Sequence, residues 1–426
     1  MQNGRGPTPP PRTHSHVPSP FFHTPARTQS GALAILHLRK DSLLPVTLGT
    51  DSDGGYAEGP VTNTRFGSFP HSTLIDLEWG SQVRASKVNT GSKGRLIKPT
   101  PQPRPKHALS EAAADVASSS PARAPILEAG SGFVHILPPT PEAWTSSLDH
   151  RTQVVYTPDY SYILQRLRVR PGSSIIEAGA GSGSFTHAAA RAVFNGYPNP
   201  QQPKKARFGR VYSYEYHQPR VETLREEIRS HGLDPIVQLN HRDVCTGGFA
   251  VDSTDGTPPA ADAIFLDLPA PWLALNHLSR SLPQSPLNAN GPVHLCTFSP
   301  CIEQVMATAS VLRKTGWTEV SMVEIANRRI DVRREQIGLS NEGLRGVNAS
   351  PASVDEAIER LREVESKLGK VESKAARLER VRQQAEQKKL YKEGHLVHRT
   401  EPEVKTHTSY LLFAILPQAV PEDNES

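Results

Sequence analysis

Four acids stand at or near the ends of apolar runs in this sequence, and one of them heads a glycine-rich turn. The turn reads EAGAGSGS, with Glu177 ahead of Gly179, Gly181, Ser182, Gly183 and Ser184. Glycines at this spacing let backbone approach a ligand closely, and a following helix offers free N–H groups. In dinucleotide sites those groups meet a pyrophosphate. A carboxylate beside the loop repels phosphate and attracts a cation instead. S-adenosylmethionine, which carries a sulfonium and an ammonium, suits such a site better. On the glycines alone, a structural turn and a nucleotide phosphate site both stay open.

The other three acids follow successive apolar runs. RVYSYEYH holds Glu215, placed to accept hydrogen bonds from ribose hydroxyls. Its distance from Gly183 exceeds the usual spacing of about 20 residues, and NGYPNPQQPKKARFG (195–209) accounts for the excess as a loop insertion. LNHRDV places Asp243 where a carboxylate can accept from an adenine amino group. IFLDLPAPW holds Asp267 directly behind an apolar run, before a turn stiffened by two prolines. An acid held there can accept from an exocyclic amino group and push electron density toward a neighbouring ring nitrogen. Methyl transfer to N1 of adenine needs that help, because the ring nitrogen is a weak nucleophile. Each acid could equally be an ordinary strand-end residue, and Asp267 could cap a helix over 272–282. Three acids after three successive strands nevertheless match ligand binding at the carboxyl ends of a parallel sheet.

The elements that must position these acids alternate in type from about 170 to 325. Strands are predicted at SSIIEAG, GRVYSYEY, PIVQLNHRD, ADAIFLDLP, PVHLCTFS and TEVSMVEI, with helices over 184–193, 218–231, 272–282 and 300–315. Ser299 followed by Pro300 predicts the start of the last helix, with Ser299 as its N-cap. An apolar strand, HTSYLLFAILP (407–417), comes after a charged stretch. That stretch, 353–393, spaces Val354, Ile358, Leu361, Leu368, Val371, Ala375 and Leu378 near a heptad, interrupted at Glu365 and Gly369. It predicts a charged insertion helix or a coiled coil.

Before the sheet, residues 31–98 read as short strands with glycine turns, LLPVTLG, GPVTNTRFG and STLIDLEWGSQVRAS, and predict a small β-domain. Residues 99–124 are of low complexity, and 144–168 carry a helical entry. Residues 1–30 are rich in Pro, Ser and His and predict a disordered tail. This leader contains Arg and lacks acids, as transit peptides do, but its prolines break an amphipathic helix. The resulting division is a tail over 1–30, a β-domain over 31–150, an α/β domain over 151–340, a charged helical insertion over 341–400, a last strand over 401–418 and a tail over 419–426.

Composition narrows the classes further. The 38 prolines argue that not all 426 residues join a core. No run of about 18 apolar residues is present, so no membrane span is expected. Cys245, Cys296 and Cys301 lack metal or redox spacing, so no metal is expected. A net charge of +5 permits an acidic partner such as nucleic acid.

Taken together, HILPPTPEAWTSSLDHRTQVVYTPDYSYI, EAGAGSGSFTHAAAR, YEYHQPRVETLREE, RDVCTGGF, FLDLPAPW and TFSPCIEQV resemble the tRNA adenine-58 N1-methyltransferases in order and spacing. The likeness is greatest to the catalytic subunits of the eukaryotic nuclear enzymes and covers roughly 31–98, 126–325 and 405–417. It implies a Rossmann-like sheet of seven strands, the last antiparallel, after a small β-domain. It also implies S-adenosylmethionine as cofactor and tRNA as substrate. The expected cofactor-binding residues are Gln153, Tyr156, Thr157, Glu177, Gly179, Gly181, Ser182, Gly183, Ser184, Glu215, Arg220, Asp243 and Val244, with Asp267 as the catalytic aspartate. TNTRFGSFPHS resembles the family's RNA-facing loop, which makes Arg65, Gly67 and His71 substrate candidates. The resemblance further implies a non-catalytic tRNA-binding partner subunit in a heterotetramer, and a nuclear location, with the mitochondrion as the alternative. Two other readings stand beside it. A protein methyltransferase of isoaspartyl type leaves DLPAPW and the β-domain unexplained. A catalytically silent RNA-binding subunit would not need the four acids.

Overall fold

The computed structural model describes residues 18–39, 42–49, 59–87, 127–148, 154–197, 207–252, 257–338, 354–367, 391–400 and 409–418. They fall into two compact units, Met1–Ile325 with Thr408–Ser426, and Ala326–His407.

The first unit opens with an antiparallel sheet. Its strands are β1 (Leu33–Arg39), β2 (Ser42–Thr47), β3 (Val61–Thr64), β4 (Gly67–Pro70), β5 (Gln82–Lys87) and β6 (Leu127–Leu137), in the order β2-β1-β6-β5-β4-β3. Ala34, Leu36, Leu48, Phe69, Val134 and Ile136 form its core. Helix α1 (Pro141–Ser147) follows, started by Thr140, whose Oγ1 accepts from Ala143 N, and by Pro141 in the first turn.

The α/β part then runs α2 (Thr157–Arg166), β7 (Ser174–Ala178), α3 (Ser184–Val193), β8 (Arg210–Glu215), α4 (Gln218–Ser230), β9 (Val237–His241), α5 (Val244–Gly247), β10 (Ala263–Leu266), α6 (Pro271–Ala274), β11 (Val293–Ser299), α7 (Ile302–Lys314) and β12 (Thr318–Glu324). After the second unit the chain returns as β15 (Tyr410–Leu416). Seven strands pair in the order β12-β15-β11-β10-β7-β8-β9, with β15 antiparallel to both neighbours. Alternate residues serve opposite faces, as strands covered on both sides require. Ile175, Ala263, Phe265, Cys296 and Phe298 join one core cluster, while Ile176, Ile264, Leu266, Val293 and Leu295 join the other.

The sequence reading needs correcting in four places. Residues 18–30 are not a disordered tail: Ser19 and Thr28 are buried, and Phe21 packs edge-on against Trp144 and His187. Prolines and histidines set the composition there, but one aromatic pair supplies the packing. Helix α7 starts two residues later than Ser299-Pro300 suggests. Strand β11 continues through Ser299, and Cys301 is the N-cap, in a capping box with Gln304. The 272–282 helix is a single α turn followed by a 3-10 turn over Leu275–His277. In the second unit, β14 (Tyr391–Thr400) pairs antiparallel with β13 (Ile330–Gly338), so the end of the charged stretch is strand rather than helix. Helix α8 (Val354–Lys367) carries the described part of the helical expectation. Residues 1–17, 99–124, 341–353 and the heptad positions from Leu368 to Leu378 lie outside the described residues.

Phe265 is fully buried and stacks on Phe185 at 4.1 Å between ring centroids. Phe265→Ala therefore leaves a cavity under the central strand and should cost about 3–5 kcal/mol of unfolding free energy. Denaturant midpoints measure it, and a cost below about 1 kcal/mol would contradict this placement of the core.

Candidate active site

The carboxyl ends of β7, β8 and β10 bring three acids together. Glu177, one residue before the end of β7, is 1% exposed. Its Oε2 accepts from Thr186 Oγ1 and from Ser213 Oγ, each at 2.7 Å. Its Oε1 is buried with no hydrogen-bond partner among the described residues. Burial pushes the Glu177 carboxyl up to about 7, against the two hydroxyl bonds and with the charges of Asp267 and Glu215. An unpartnered buried carboxylate oxygen is costly and calls for a donor or a cation.

The glycine loop wraps around these acids. Gly179 has φ +90°, and a Cβ there would lie 2.1 Å from the Asp267 carbonyl oxygen, so no side chain fits between the two strand ends. Gly181 N donates to Glu215 Oε2 at 3.0 Å, which ties the loop to β8. Gly183 is the N-cap of α3, and Ser184 Oγ donates to Val155 O at 3.1 Å. That last bond joins the loop to the segment before α2, where Tyr156 is the N-cap and half exposed, and Thr157 Oγ1 lies 3.1 Å from Tyr160 OH. Ser182 is half-buried in the loop. Gln153 lies outside the described residues.

Glu215 is 4% exposed, and its Oε1 accepts from His217 N at 2.9 Å and from Arg220 Nη1 at 3.3 Å. Arg220 is thereby an ion-pair partner of the β8 acid. Asp243 follows β9 and caps α5, with Oδ1 accepting from Cys245 N and Oδ2 from Thr246 Oγ1, both at 2.9 Å. A carboxylate has about four acceptor sites, so both acids keep capacity for a ligand. Val244 beside Asp243 is buried.

Asp267 is the acid without internal partners. Its backbone N–H donates to Ala178 O at 2.9 Å, extending the β7–β10 pairing by one residue. Among the described residues its carboxylate has no hydrogen-bond partner; burial, then the charge of Glu215, pushes it up to about 7. The N-cap of α6 is Ala270, so Asp267 does not cap that helix. An acceptor held free at the mouth of a central strand can take a hydrogen bond or a proton from a ligand amino group.

The substrate candidates divide. Arg65 is exposed at the tip of the β3–β4 hairpin, its guanidinium 4.9 Å from the centre of the Phe66 ring. His71 does not face outward. It is 9% exposed, Nδ1 accepts from Gly49 N, and Nε2 lies 2.9 Å from Thr62 Oγ1. Its ring ties the chain at Gly49 to strand β3, and burial lowers its pKa. Gly67, at φ +126°, lies against Ala85, where a Cβ would come within 2.4 Å. It is a packing glycine. Of the three substrate candidates, His71 and Gly67 are engaged in internal bonds and packing, and Arg65 is exposed.

Sequence reasoning also missed the supports behind the loop. His187 Nδ1 donates to Gly183 O at 2.7 Å, and its Nε2 accepts from His231 Nδ1 at 2.9 Å. Burial lowers these histidines to about 4 and about 3. Ser19 Oγ in turn donates to His231 O at 2.6 Å. No spacing in the sequence links residues so far apart, and Cys301 lies outside the usual N-cap residues, so the box with Gln304 has no sequence signature either.

Comparison with known proteins agrees with this geometry. A family model described as the tRNA methyltransferase complex GCD14 subunit matches residues 132–416. The tRNA (adenine(58)-N(1))-methyltransferase catalytic subunit trm61 of Aspergillus oryzae is 51% identical over 427 residues, covering 96% of this chain and 89% of that protein. The Candida albicans protein of that name is 34% identical over 414 residues, covering 92% and 98%. Among solved structures, a SAM-dependent O-methyltransferase from Thermotoga maritima superposes with a TM-score of 0.53 at 18% identity, covering 93% of this chain and 97% of that one. That likeness carries the fold alone. On the family match and the identities, the chain belongs to the family of the tRNA methyltransferase complex GCD14 subunit.

Proposed function

We propose that this chain is the catalytic subunit of a tRNA methyltransferase that transfers a methyl group from S-adenosylmethionine to N1 of adenine-58. The observation that carries the reading is Asp267, a half-buried carboxyl with no hydrogen-bond partner among the described residues, set against the glycine loop and its acids. The residues present fit the cofactor: among the described residues Glu177 Oε1 is orphaned, and Gly179 lets the loop backbone lie against the Asp267 carbonyl, which keeps the loop and the acids together. Glu177 would face the cationic part, Glu215 the ribose hydroxyls, and Asp243 with Val244 the adenine. Tyr156, Thr157, Gly181, Ser182, Gly183, Ser184 and Arg220 would complete the wall, with Gln153 from the adjoining segment.

When bound, S-adenosylmethionine supplies an electrophilic methyl on a sulfonium. Asp267 accepts a hydrogen bond from the exocyclic amino group of the target adenine, which raises electron density at N1. As N1 gains positive charge, the same carboxylate stabilises it and can take the amino proton. The target base must leave its stack to reach Asp267, and Arg65 beside Phe66 is placed to contact phosphate or stack on a splayed base. The proposal includes a tRNA-binding partner subunit in a heterotetramer, supported by the family's description as a complex subunit, and a nuclear location, supported by the sequence resemblance alone.

The direct test is methyl transfer from S-adenosylmethionine to unmodified tRNA by the chain co-purified with its partner, with the modified position mapped. Methylation at a different atom or nucleotide would overturn the assignment. Asp267→Asn should lower kcat by about 10²–10⁴-fold while cofactor affinity stays within a few-fold, and wild-type turnover would sink the role of Asp267.

A pH dependence follows with a definite sign. Glu177 holds a proton below about 7 in the ligand-free site, and the cationic part of the cofactor binds its ionised form. S-adenosylmethionine affinity should therefore weaken as pH falls below about 7, with proton release on binding in that range. Calorimetry at pH 6 and 8 in buffers of different ionisation heat measures both quantities. Glu177→Gln should flatten the dependence, and a flat wild-type profile would contradict the arrangement.

A further inference from the structure

Gln304 sits in the first turn of α7, which follows β11, the neighbour of the strand that leads to Asp267, and its side chain makes two bonds in opposite senses. Its Oε1 accepts from Cys301 N at 3.0 Å, and its Nε2 donates to Pro269 O at 2.9 Å. The orientation of the amide is fixed by the donors around it. Cys301 offers an N–H and needs an acceptor, while the Pro269 carbonyl can only accept. The first bond belongs to the capping box with Cys301. Glu serves that role as well as Gln does, and a carboxylate near a helix N-terminus gains from the dipole. The cap therefore does not require an amide. The second bond does.

Pro269 lies two residues beyond Asp267, in a turn with few means of holding itself in place. Pro269 and Pro271 have no N–H to donate. The turn is anchored at one end by Asp267 N on Ala178 O, and α6 begins at Pro271 behind an N-cap, Ala270, with no side-chain cap. Cys245 Sγ reaches Ala270 O only at 4.0 Å. Gln304 supplies the polar clamp between those ends. It is itself held, since Thr308 Oγ1 donates to Gln304 O at 2.6 Å and stiffens that turn of α7.

We infer that Gln304 is a positioning residue, whose Nε2–H on the Pro269 carbonyl fixes the turn that carries Asp267. The inference rests on the catalytic reading of Asp267. Without the clamp the carboxylate loses its aim at the substrate amino group, and misplacement by about 1 Å can cost about 100-fold in rate. Gln304 touches neither cofactor nor substrate in this scheme, so its loss acts on kcat and leaves cofactor binding alone.

Gln304→Glu separates the clamp from the cap. At pH 8 the introduced carboxylate still accepts from Cys301 N and cannot donate to Pro269 O. The expected result is a fall in kcat of about 10–100-fold, cofactor affinity within twofold of wild type, and a melting temperature equal to or above wild type. Gln304→Met keeps the length and loses both bonds, so it should show the same kcat with a lower melting temperature. Wild-type kcat in Gln304→Glu would overturn the inference. So would a parallel loss of kcat, cofactor affinity and melting temperature, which would mark a merely structural residue. Asp267→Asn in the same assay keeps the two readings apart: an active Asp267→Asn removes the catalytic assignment, whereas an active Gln304→Glu beside an inactive Asp267→Asn removes only the clamp.

Discussion

The site depends on the close approach of two strand ends, β7 and β10, made possible where Gly179 lies against the carbonyl of Asp267. Parallel pairing sets Glu177 opposite Phe265 and Ala178 opposite Leu266, and the Asp267 N–H continues it onto Ala178 O. The ladder thus delivers two carboxyls to one small volume, with Glu215 arriving from β8 on the other side. Like charges so placed repel, and burial adds to the cost. Glu215 offsets its share with two backbone donors and Arg220, and Glu177 with two hydroxyls, while Asp267 has neither. The assembly is balanced only when something positive or hydrogen-donating enters it.

Support for that crowded volume comes from far away in the chain. Phe21 lies 5.0 Å from the ring centres of both His187 and His231, and Trp144 closes the box edge-on to His231. Burial keeps both histidines neutral, and neutrality lets each ring donate at one nitrogen and accept at the other. The chain of bonds from Ser19 through His231 and His187 to Gly183 is therefore directional, and it ends on the carbonyl of the helix-capping glycine. A segment that composition marks as unstructured is a wall of the methyltransferase core.

Sheet and site were legible in the sequence to different depths. The central strands β7, β10 and β11 could be read because both faces are buried, so each is a short run of mostly apolar residues between turn residues, and Glu177 and Asp267 sit at or just past the ends of two of them. The start of α7 was misread because Ser-Pro is a local signal, while strand pairing of Ser299 with Tyr410 is not. His71 shows a related limit of local signals. A histidine in a polar loop looks available until the fold supplies Gly49 and Thr62 as partners for its two nitrogens. The β13–β14 ribbon is hard to read from sequence because Ile330, Val332 and Leu396 are interleaved with charged residues and are exposed, so they mark no buried face.

Glu177 and Asp267 share a similar raised pKa and still serve different ends, and their partners decide which. Glu177 is locked by Thr186 and Ser213 at one oxygen, so it can present only the other, in a fixed direction. That suits the holding of a charge that does not change place. Among the described residues Asp267 has both carboxylate oxygens unbonded, while its N–H is held by Ala178 and the turn after it by Gln304 on Pro269 O. A carboxylate rigid in position yet free in its hydrogen bonding can follow a proton as charge develops on a base, without moving its own chain. The fold spends its side-chain bonds on the acid that must stay still and its backbone bonds on the acid that must react.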